Sequence, residues 1–492
     1  MSAHVTEPPA LGTAPPKPAT AARAGLALGL LATCNAMIMI DESMVNIALP
    51  GMGQDLGLGP VGLGWVLNAY LLTFGGLLLL GGRTGDLLGR RRVFLAGVAL
   101  FTGAAALRGL APSGEFLIAV RAVQGIGAAF AAPSALALVL SLFPEGAGRK
   151  KAIAVCTAVG ALSTAGGLLL SGALTSLSSW RWVLLLNVPI GVAILLLAPL
   201  VIAETPRTRG RFDLAGAVLS TAGAAALVFG LARVAEHPWS DPLVVGTLTA
   251  GVLLLAAFWF VERRAEQPIV VLRLFADRDR LTAYTGTFAV QGALIGTMFF
   301  LIQYFQHIAG HGPLTSAVAL TPVAVAMITM SAAAVRLERA IGAKRLMLTG
   351  AALLVAANLW LSRLEAGSGY WDTALPALLV FGTGMAFCVL PTTVLGTSGL
   401  RRDEAGAASS VHNALQTVGA SLGLAVLVTV AARAGSAAAE NPPAGLPEEA
   451  VQGHVFLESM SASFTAGACF AVAAFVVALF IRPAGAVRTS GR

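Results

Sequence analysis

Apolar segments long enough to cross a bilayer recur along nearly the whole chain, and this recurrence limits the fold more than any other feature. A membrane-spanning helix needs about 20 mostly apolar residues. Fourteen such segments can be drawn, at about 24–49, 61–82, 92–111, 115–141, 150–174, 182–203, 213–234, 242–262, 281–308, 313–335, 343–362, 373–398, 406–433 and 461–482. Short polar or Gly/Pro-containing links separate them. A composition of 57% hydrophobic and 11% charged residues, with mean hydropathy +0.81, excludes an ordinary soluble domain. The expected fold class is therefore an all-α membrane protein.

The basic residues give the expected orientation. Of the 32 Lys and Arg, 26 fall in one alternate set of links and the two tails, including Arg83, Arg90–Arg92, Arg149–Lys151, Arg263, Arg264, Lys344 and Arg345. The other set of links holds only Arg108, Arg181, Arg233, Arg363 and Arg433, and Arg121 lies within a span. Positive residues stay on the cytoplasmic side, so both termini are expected there, in a multi-pass protein of the cell inner (plasma) membrane. Because the basic residues sit at helix ends, the net charge of +8 carries no implication of nucleic-acid binding. Residues 1–23 and 483–492 read as cytoplasmic tails, the first disordered, and 434–460 as a flexible loop on the other side. Cys34, Cys156, Cys388 and Cys469 fall in spans without metal-ligand spacing and are expected as buried thiols, with no disulfide and no metal. No nucleotide-binding loop or hydrolase motif is present, so the chain reads as no enzyme and needs no cofactor. Active movement of a solute would draw on an ion gradient.

Two acids, Asp41 and Glu42, interrupt the first segment in "MIMIDESMVNIALP". Each charge deep in a bilayer costs roughly 2.5–3.5 kcal/mol on insertion scales, so they need an offset. At about 1.5 Å per residue they lie roughly 12–14 Å below one boundary, with Arg121 roughly 9 Å and Gln124 roughly 13 Å below the same one. Arg121 is therefore the expected counter-ion. Consecutive helical residues point about 100° apart. Glu42 shares a polar face with Asn35, Met39 and Asn46, whereas Asp41 shares an apolar one with Cys34, Met37, Ile38, Val45 and Ala48. Glu42 is expected to look into a cavity and Asp41 to pack near Arg121. Burial and a neighbouring guanidinium act oppositely on a carboxylic acid, so a pair whose separation changes can take up and release a proton. The alternative is a static Asp41–Arg121 pair with Glu42 facing outside water.

The stretch "GGRTGDLLGRRRVFL", residues 81–95, supplies turn-forming glycines, an acid and anchoring arginines at the junction of the second and third segments. It resembles the loop signature G-x-x-x-D-x-x-G-R-[RK] of the major facilitator superfamily, in the form found in its fourteen-span drug:proton antiporters. "DESMVNIALP", "GWVLNAYLL", "RAVQGIGAA" and "WRWVLLLNVPIG" resemble further motifs of that family, and the likeness covers about residues 25–482. The resemblance implies two six-helix bundles, 24–203 and 266–482, with two linker helices in 204–265, rocking about a central cavity. Proton coupling is expected through Asp41, Arg121 and Glu42; the family's position matches Asp41, whereas Glu42 occupies a variable one and is expected to select cationic substrates. The resemblance also implies a gate motif of Gly82, Arg83, Gly85, Asp86, Gly89, Arg90 and Arg91 acting as a latch between bundles. The cavity would be lined by Glu42, Asn35, Met39, Asn46, Trp65, Asn68, Gln124, Gln291, Gln303, Tyr304, Gln306, Asn413 and Gln416, with His412 nearby. Two departures stand out. Leu87 follows Asp86 where the family often has a base, and "GLLLSG" (Gly167, Ser171, Gly172) carries Leu168 in place of the proline of G-P-x-x-G-G.

The expected function is proton-driven export of amphipathic, cationic drugs or antibiotics by a monomer whose partners are the small-molecule substrate, protons and the lipid bilayer. Proton symport of a metabolite inward remains an alternative, as does a non-transporting scaffold or receptor.

Overall fold

The computed structural model describes residues 21–143, 146–205, 214–235, 237–264, 272–397, 405–443 and 447–482. Every regular element among them is helical: α1 Ala21–Leu56, α2 Pro60–Leu88, α3 Arg90–Gly109, α4 Gly114–Leu142, α5 Ala147–Leu177, α6 Trp180–Leu185, α7 Asn187–Val201, α8 Leu214–Val234, α9 Pro242–Arg264, α10 Arg278–Gln303, α11 Pro313–Leu361, α12 Leu375–Thr397, α13 Ala405–Glu440 and α14 Glu448–Ala478, with short turns between some of them. Among the described residues, thirteen helical stretches are long and apolar enough to span a membrane. The longest, α11, has 49 residues and breaks at Gly342 (φ 84°, ψ 158°), a left-handed conformation that glycine adopts without a Cβ penalty. Counted as two, it gives the fourteen spans expected. Within the sixth span, α6 and α7 meet at Leu186.

Three boundaries differ from expectation. The first helix does not end at Pro50 but continues to Leu56, since a proline removes only one donor and the surrounding packing holds the rest. It also begins at Ala21, three residues inside the segment expected as a disordered tail, whose residues 1–20 lie outside the described residues, as does the tail 483–492. The expected flexible loop 434–460 is largely helix, leaving only 441–447 between α13 and α14. "AGSAAAE" is alanine-rich, and alanine is the strongest helix former.

In the first half α2 and α3 pack on α4, α1 on α5 and α7, and α3 on α7. In the second, α11 packs on α12 while α10, α13 and α14 pack on one another. The halves meet through α2 against α13 and α5 against α11, and the pair α8–α9 leans on α2 and α13 through α8. One apolar cluster joins Val45, Leu49, Leu67 and Trp180 of the first half to Phe299, Phe305, Leu320 and Phe381 of the second. Its members lie toward the end of the molecule that carries Leu56.

Several close approaches join the halves, and α2 also meets the second half farther toward Gly89, with Gly75 against Thr417 and Leu79 against the cluster of Ala408 and Val411. Gly172 stands against Leu314 and Ala317, where a Cβ would come within 2.8 Å of the Leu314 backbone. The Leu314 amide donates to Ser176 Oγ at 3.1 Å, Gln306 Nε2 to the Ile47 carbonyl at 3.2 Å, and Ser421 Oγ to Asn68 Oδ1 at 2.9 Å. Toward the opposite end, which carries Gly89, many residues of α5 are exposed, among them Ile153, Ala154, Ala158 and Leu162.

Candidate functional site

Asp41 is fully buried at the meeting of five helices. Its Oδ2 accepts from Arg121 Nη1 at 2.8 Å and from Arg108 Nη1 at 3.1 Å. Its Oδ1 takes a close ion pair from Arg108 Nη2 and a bond from Asn187 Nδ2 at 2.6 Å. Gln124 Oε1 bridges the guanidiniums, accepting from each Nη1 at 2.9 Å. Arg121 also donates Nε to the Val66 carbonyl at 3.0 Å and lies 4.4 Å over the Tyr70 ring, a cation–π contact in a dry setting. The site thus ties α1, α2, α3, α4 and α7 together, and each carboxylate oxygen is doubly bonded. A buried charge is tolerable only when paired and hydrogen-bonded; both Asp41 oxygens meet this condition, while Arg108 Nε, Gln124 Nε2 and Asn187 Oδ1 are buried without a partner among the described residues.

Arg108 is the residue that sequence reasoning misplaced. It was expected in an outside link, with Arg121 the one base deep in the membrane, yet it is 0% exposed in the last turn of α3. A long side chain at a helix end can turn inward as well as outward. The signal in the sequence was arithmetic: two acids against one arginine leave a net negative charge in an apolar setting, and a second base is the simplest remedy.

The burial pattern along α1 separates the two acids. Cys34, Met37, Ile38, Asp41, Val45 and Ala48 are buried, while Asn35, Met39, Glu42 and Asn46 are half-buried. Asn35 Nδ2 reaches the Cys156 carbonyl at 3.4 Å and Asn46 Nδ2 the Glu42 carbonyl at 2.8 Å. The Glu42 carboxylate takes part in no hydrogen bond or ion pair among the described residues, although it lies within electrostatic reach of Arg121 and Asp41. Asp41, Arg108 and Arg121 sum to a formal charge of +1, which ionised Glu42 balances.

Other residues expected in the cavity are placed differently. Gln124 belongs to the buried ion network. Asn68 is buried and bonds Ser421 across the two halves, and Trp65 packs on Phe229 of α8 at 6.2 Å. Gln303 is buried and donates to its own helix, at the Phe299 carbonyl. Tyr304 is buried with its hydroxyl on the Glu365 carbonyl at 2.9 Å. Gln306 sits in a single π-helical turn, Tyr304–Ile308, and closes on Ile47 of α1. Asn68, Tyr304 and Gln306 thus tie separate segments together, because an amide or hydroxyl in a tight interface finds a partner across it. Gln291 and Gln416 are half-buried and Asn413 is exposed, so these three keep the accessibility a cavity lining needs. Gln291 Oε1 is a buried acceptor without a partner among the described residues. His412 is buried between Thr287 and Thr393, 3.5 Å from each hydroxyl.

At the Gly89 end, the loop signature folds back on its own half. Gly89 adopts φ 106°, and a Cβ there would fall 2.8 Å from the Glu204 carboxylate. A Cβ at Gly85 would stand 3.1 Å from Ser134 Oγ, and one at Gly82 3.6 Å from Pro133. Arg90 pairs with Asp86 at 2.9 Å and donates to the Ala137 carbonyl at 3.1 Å. Glu204 accepts from the Arg91 amide at 3.0 Å and pairs with Arg92 at 3.6 Å. The resemblance implied a latch between bundles. Among the described residues these bonds fasten the loop to α4 and to the segment after α7, and Arg83 and Asp86 make further contacts besides. In "GLLLSG", Gly167 packs on Ile40 and Ser43 of α1, and Ser171 Oγ donates to the Met44 carbonyl at 2.8 Å. With Leu168 in place of proline, α5 runs as one helix from Ala147 to Leu177.

The four cysteines are free. Cys34 and Cys388 are buried as expected, Cys156 is half-buried, and Cys469 is exposed, contrary to expectation.

Comparison with known proteins agrees with this architecture. The sequence model of the Major Facilitator Superfamily matches residues 31–424. The chain is 40% identical over 411 residues to the cephamycin export protein CmcT of Amycolatopsis lactamdurans, covering 82% of this chain and 84% of that one. It is 40% identical over 407 residues to the puromycin resistance protein pur8 of Streptomyces alboniger, covering 82% and 80%. It is 34% identical over 487 residues to the tetracenomycin C resistance and export protein of Streptomyces glaucescens, covering 91% and 90%. Among solved structures, a bacterial homolog of the human lysosomal transporter Spinster, inward-facing and unoccupied, aligns with a TM-score of 0.65 at 15% identity, over 94% of this chain and 98% of that one. By sequence and by fold, the chain belongs to the Major Facilitator Superfamily and is a membrane transporter rather than an enzyme.

Proposed function

We propose that this protein exports amphipathic, cationic small molecules across the bacterial plasma membrane in exchange for protons, with Glu42 as the acid that proton and substrate share. One observation carries the reading. Asp41 is saturated by Arg108, Arg121 and Asn187, whereas the Glu42 carboxylate is unbonded among the described residues on a half-buried stripe beside them. With Glu42 ionised the site is neutral. With Glu42 protonated it carries one surplus positive charge, which repels a cation. Proton and cationic substrate therefore exclude each other electrostatically, which is the requirement for exchange. In this reading Asp41 and its two arginines are a fixed electrostatic base that sets the field at Glu42.

Direction is supported by the relatives, whose names describe export of cephamycin and tetracenomycin C. The arginine-rich end that carries Gly89 faces the cytoplasm, with both termini, by the distribution of Lys and Arg. The contacts between halves near Leu56 then close the outer side, and alternating access requires them to part. Gln291, Asn413 and Gln416 face the same cavity from the second half, and the transporter works as a monomer driven by the proton gradient.

The test is to place purified protein in proteoliposomes with a pH dye and add substrates from cationic, neutral and anionic classes. Exchange predicts that a cationic substrate moving one way drives protons the other way. Protons moving in the same direction as substrate would establish symport, and no response to any solute or gradient would revive the non-transporting scaffold.

A further inference from the structure

Five arginines occupy the helix ends and links at the Leu56 end of the molecule. Four are engaged: Arg108 with Asp41, Arg181 with Asp55, Arg233 with Asp241 at 3.3 Å, and Arg433 with the carbonyls of Val234 and His237 at 2.8 and 2.5 Å. Arg363 is the exception. Its guanidinium is exposed and makes no ion pair, hydrogen bond or aromatic contact among the described residues, although Glu365 is two residues away.

Arg363 also ends a stripe. Ala356, Leu359, Trp360 and Arg363 recur at i, i+3, i+4 and i+7, one face of the last turns of α11, and with Thr373 they line a groove of about 340 Å³. Leu354, Ala357, Leu361 and Leu364 form the opposite, buried face. Leu359 and Trp360 are 43% and 39% exposed, and Trp371, beside the groove in sequence, is 78% exposed. Tryptophans collect where a membrane protein crosses from hydrocarbon to headgroups. An apolar channel therefore rises to an unpaired cation at headgroup level.

We propose that this groove binds one anionic phospholipid of the surrounding bilayer, its phosphate on the Arg363 guanidinium and an acyl chain along Ala356, Leu359 and Trp360. A guanidinium offers paired donors to two phosphate oxygens, a match that few other occupants of an apolar, membrane-facing groove can make. A net anionic headgroup is favoured over a zwitterionic one, whose own cation competes for the same phosphate. The bound lipid would also brace the loop that follows, whose Glu365 carbonyl accepts from Tyr304 at the start of the π-helical turn that carries Gln306.

Native mass spectrometry of the purified transporter, titrated separately with phosphatidylglycerol and phosphatidylcholine, tests this. Wild type should retain one phosphatidylglycerol more tightly than any phosphatidylcholine. Arg363→Gln should weaken that site about tenfold, Arg363→Lys should weaken it less, and Trp360→Ala should weaken it through the groove. Unchanged phosphatidylglycerol binding in Arg363→Gln overturns the proposal, as does equal retention of the two lipids. Loss of binding in Arg363→Gln with none in Trp360→Ala refutes the acyl groove. A dimer that disappears in Arg363→Gln would make a second copy of the chain the occupant instead.

Discussion

Arg108→Gln isolates the half of the buried ion site that the first-segment acids alone do not reveal. In the wild type Asp41 is bonded through both of its oxygens to Arg108 and keeps Arg121 and Asn187 besides. Removing one partner of a buried ion pair costs about 3–5 kcal/mol, and because two partners remain the lower figure, about 3 kcal/mol, applies. The substitution also lowers the formal charge of the Asp41–Arg108–Arg121 set from +1 to zero. Glu42 lies within electrostatic reach of Asp41 and Arg121, so a change in the charge of this set reaches it. Less positive charge makes a neighbouring acid easier to protonate, so the pH of half-maximal exchange moves up. Unfolding of the purified protein in detergent reads the first effect, and substrate-driven proton release across a pH series reads the second. If Arg108→Gln folds too poorly, the double variant Asp41→Asn/Arg108→Gln removes the uncompensated charge and should recover about 2 kcal/mol relative to additivity. Strictly additive losses, or a pH midpoint that stays put or falls, would refute the charge reasoning.

Other consequences follow from the helix contacts. Gln306→Leu removes the bond to the Ile47 carbonyl, worth about 0.5–1.5 kcal/mol, and should raise labelling of a cysteine placed at Gly51 from the outside about two- to tenfold; unchanged labelling would show that this bond does not hold the halves closed. Ser421→Ala leaves Asn68 Oδ1 buried without its donor, at a cost of about 1–3 kcal/mol, seen as a lower unfolding temperature. Gly89→Ala forces a side chain into φ 106° and against Glu204, so folded yield should drop, whereas Gly103→Ala, in open space on α3, should leave it unchanged.

Much of this architecture was legible in the sequence because the bilayer imposes it: a span must be about 20 apolar residues long, and each run announces itself. The break within α11 follows too, since Gly342 is the one glycine in the short link between the two expected spans. The separation of the faces of Asp41 and Glu42 needed only the 100° step of a helix. Two of the expected cavity amides have partners that are remote in sequence. Gln306 bonds a carbonyl 259 positions away and Asn68 a hydroxyl 353 positions away, so neither could be distinguished from a cavity amide by its local pattern. Arg108 sits one residue from the end of α3, where position along the chain says nothing about whether the side chain turns to water or to the core. The stretch 434–460 was read as loop from its polar residues, although its alanines favour helix wherever a neighbouring helix gives them a surface.

The central claim is the division of labour between adjacent acids, and a paired comparison tests it most directly: Glu42→Gln and Asp41→Asn in proteoliposomes, each assayed for substrate-driven proton release and for selectivity between cationic and neutral substrates. The account predicts that Glu42→Gln abolishes proton release and the preference for cations while unfolding stability stays near wild type. It predicts that Asp41→Asn, which leaves two arginines without a carboxylate, is chiefly destabilised and retains exchange in the molecules that fold. Proton release intact in Glu42→Gln but absent in stable, folded Asp41→Asn would contradict it and return the exchanging role to Asp41.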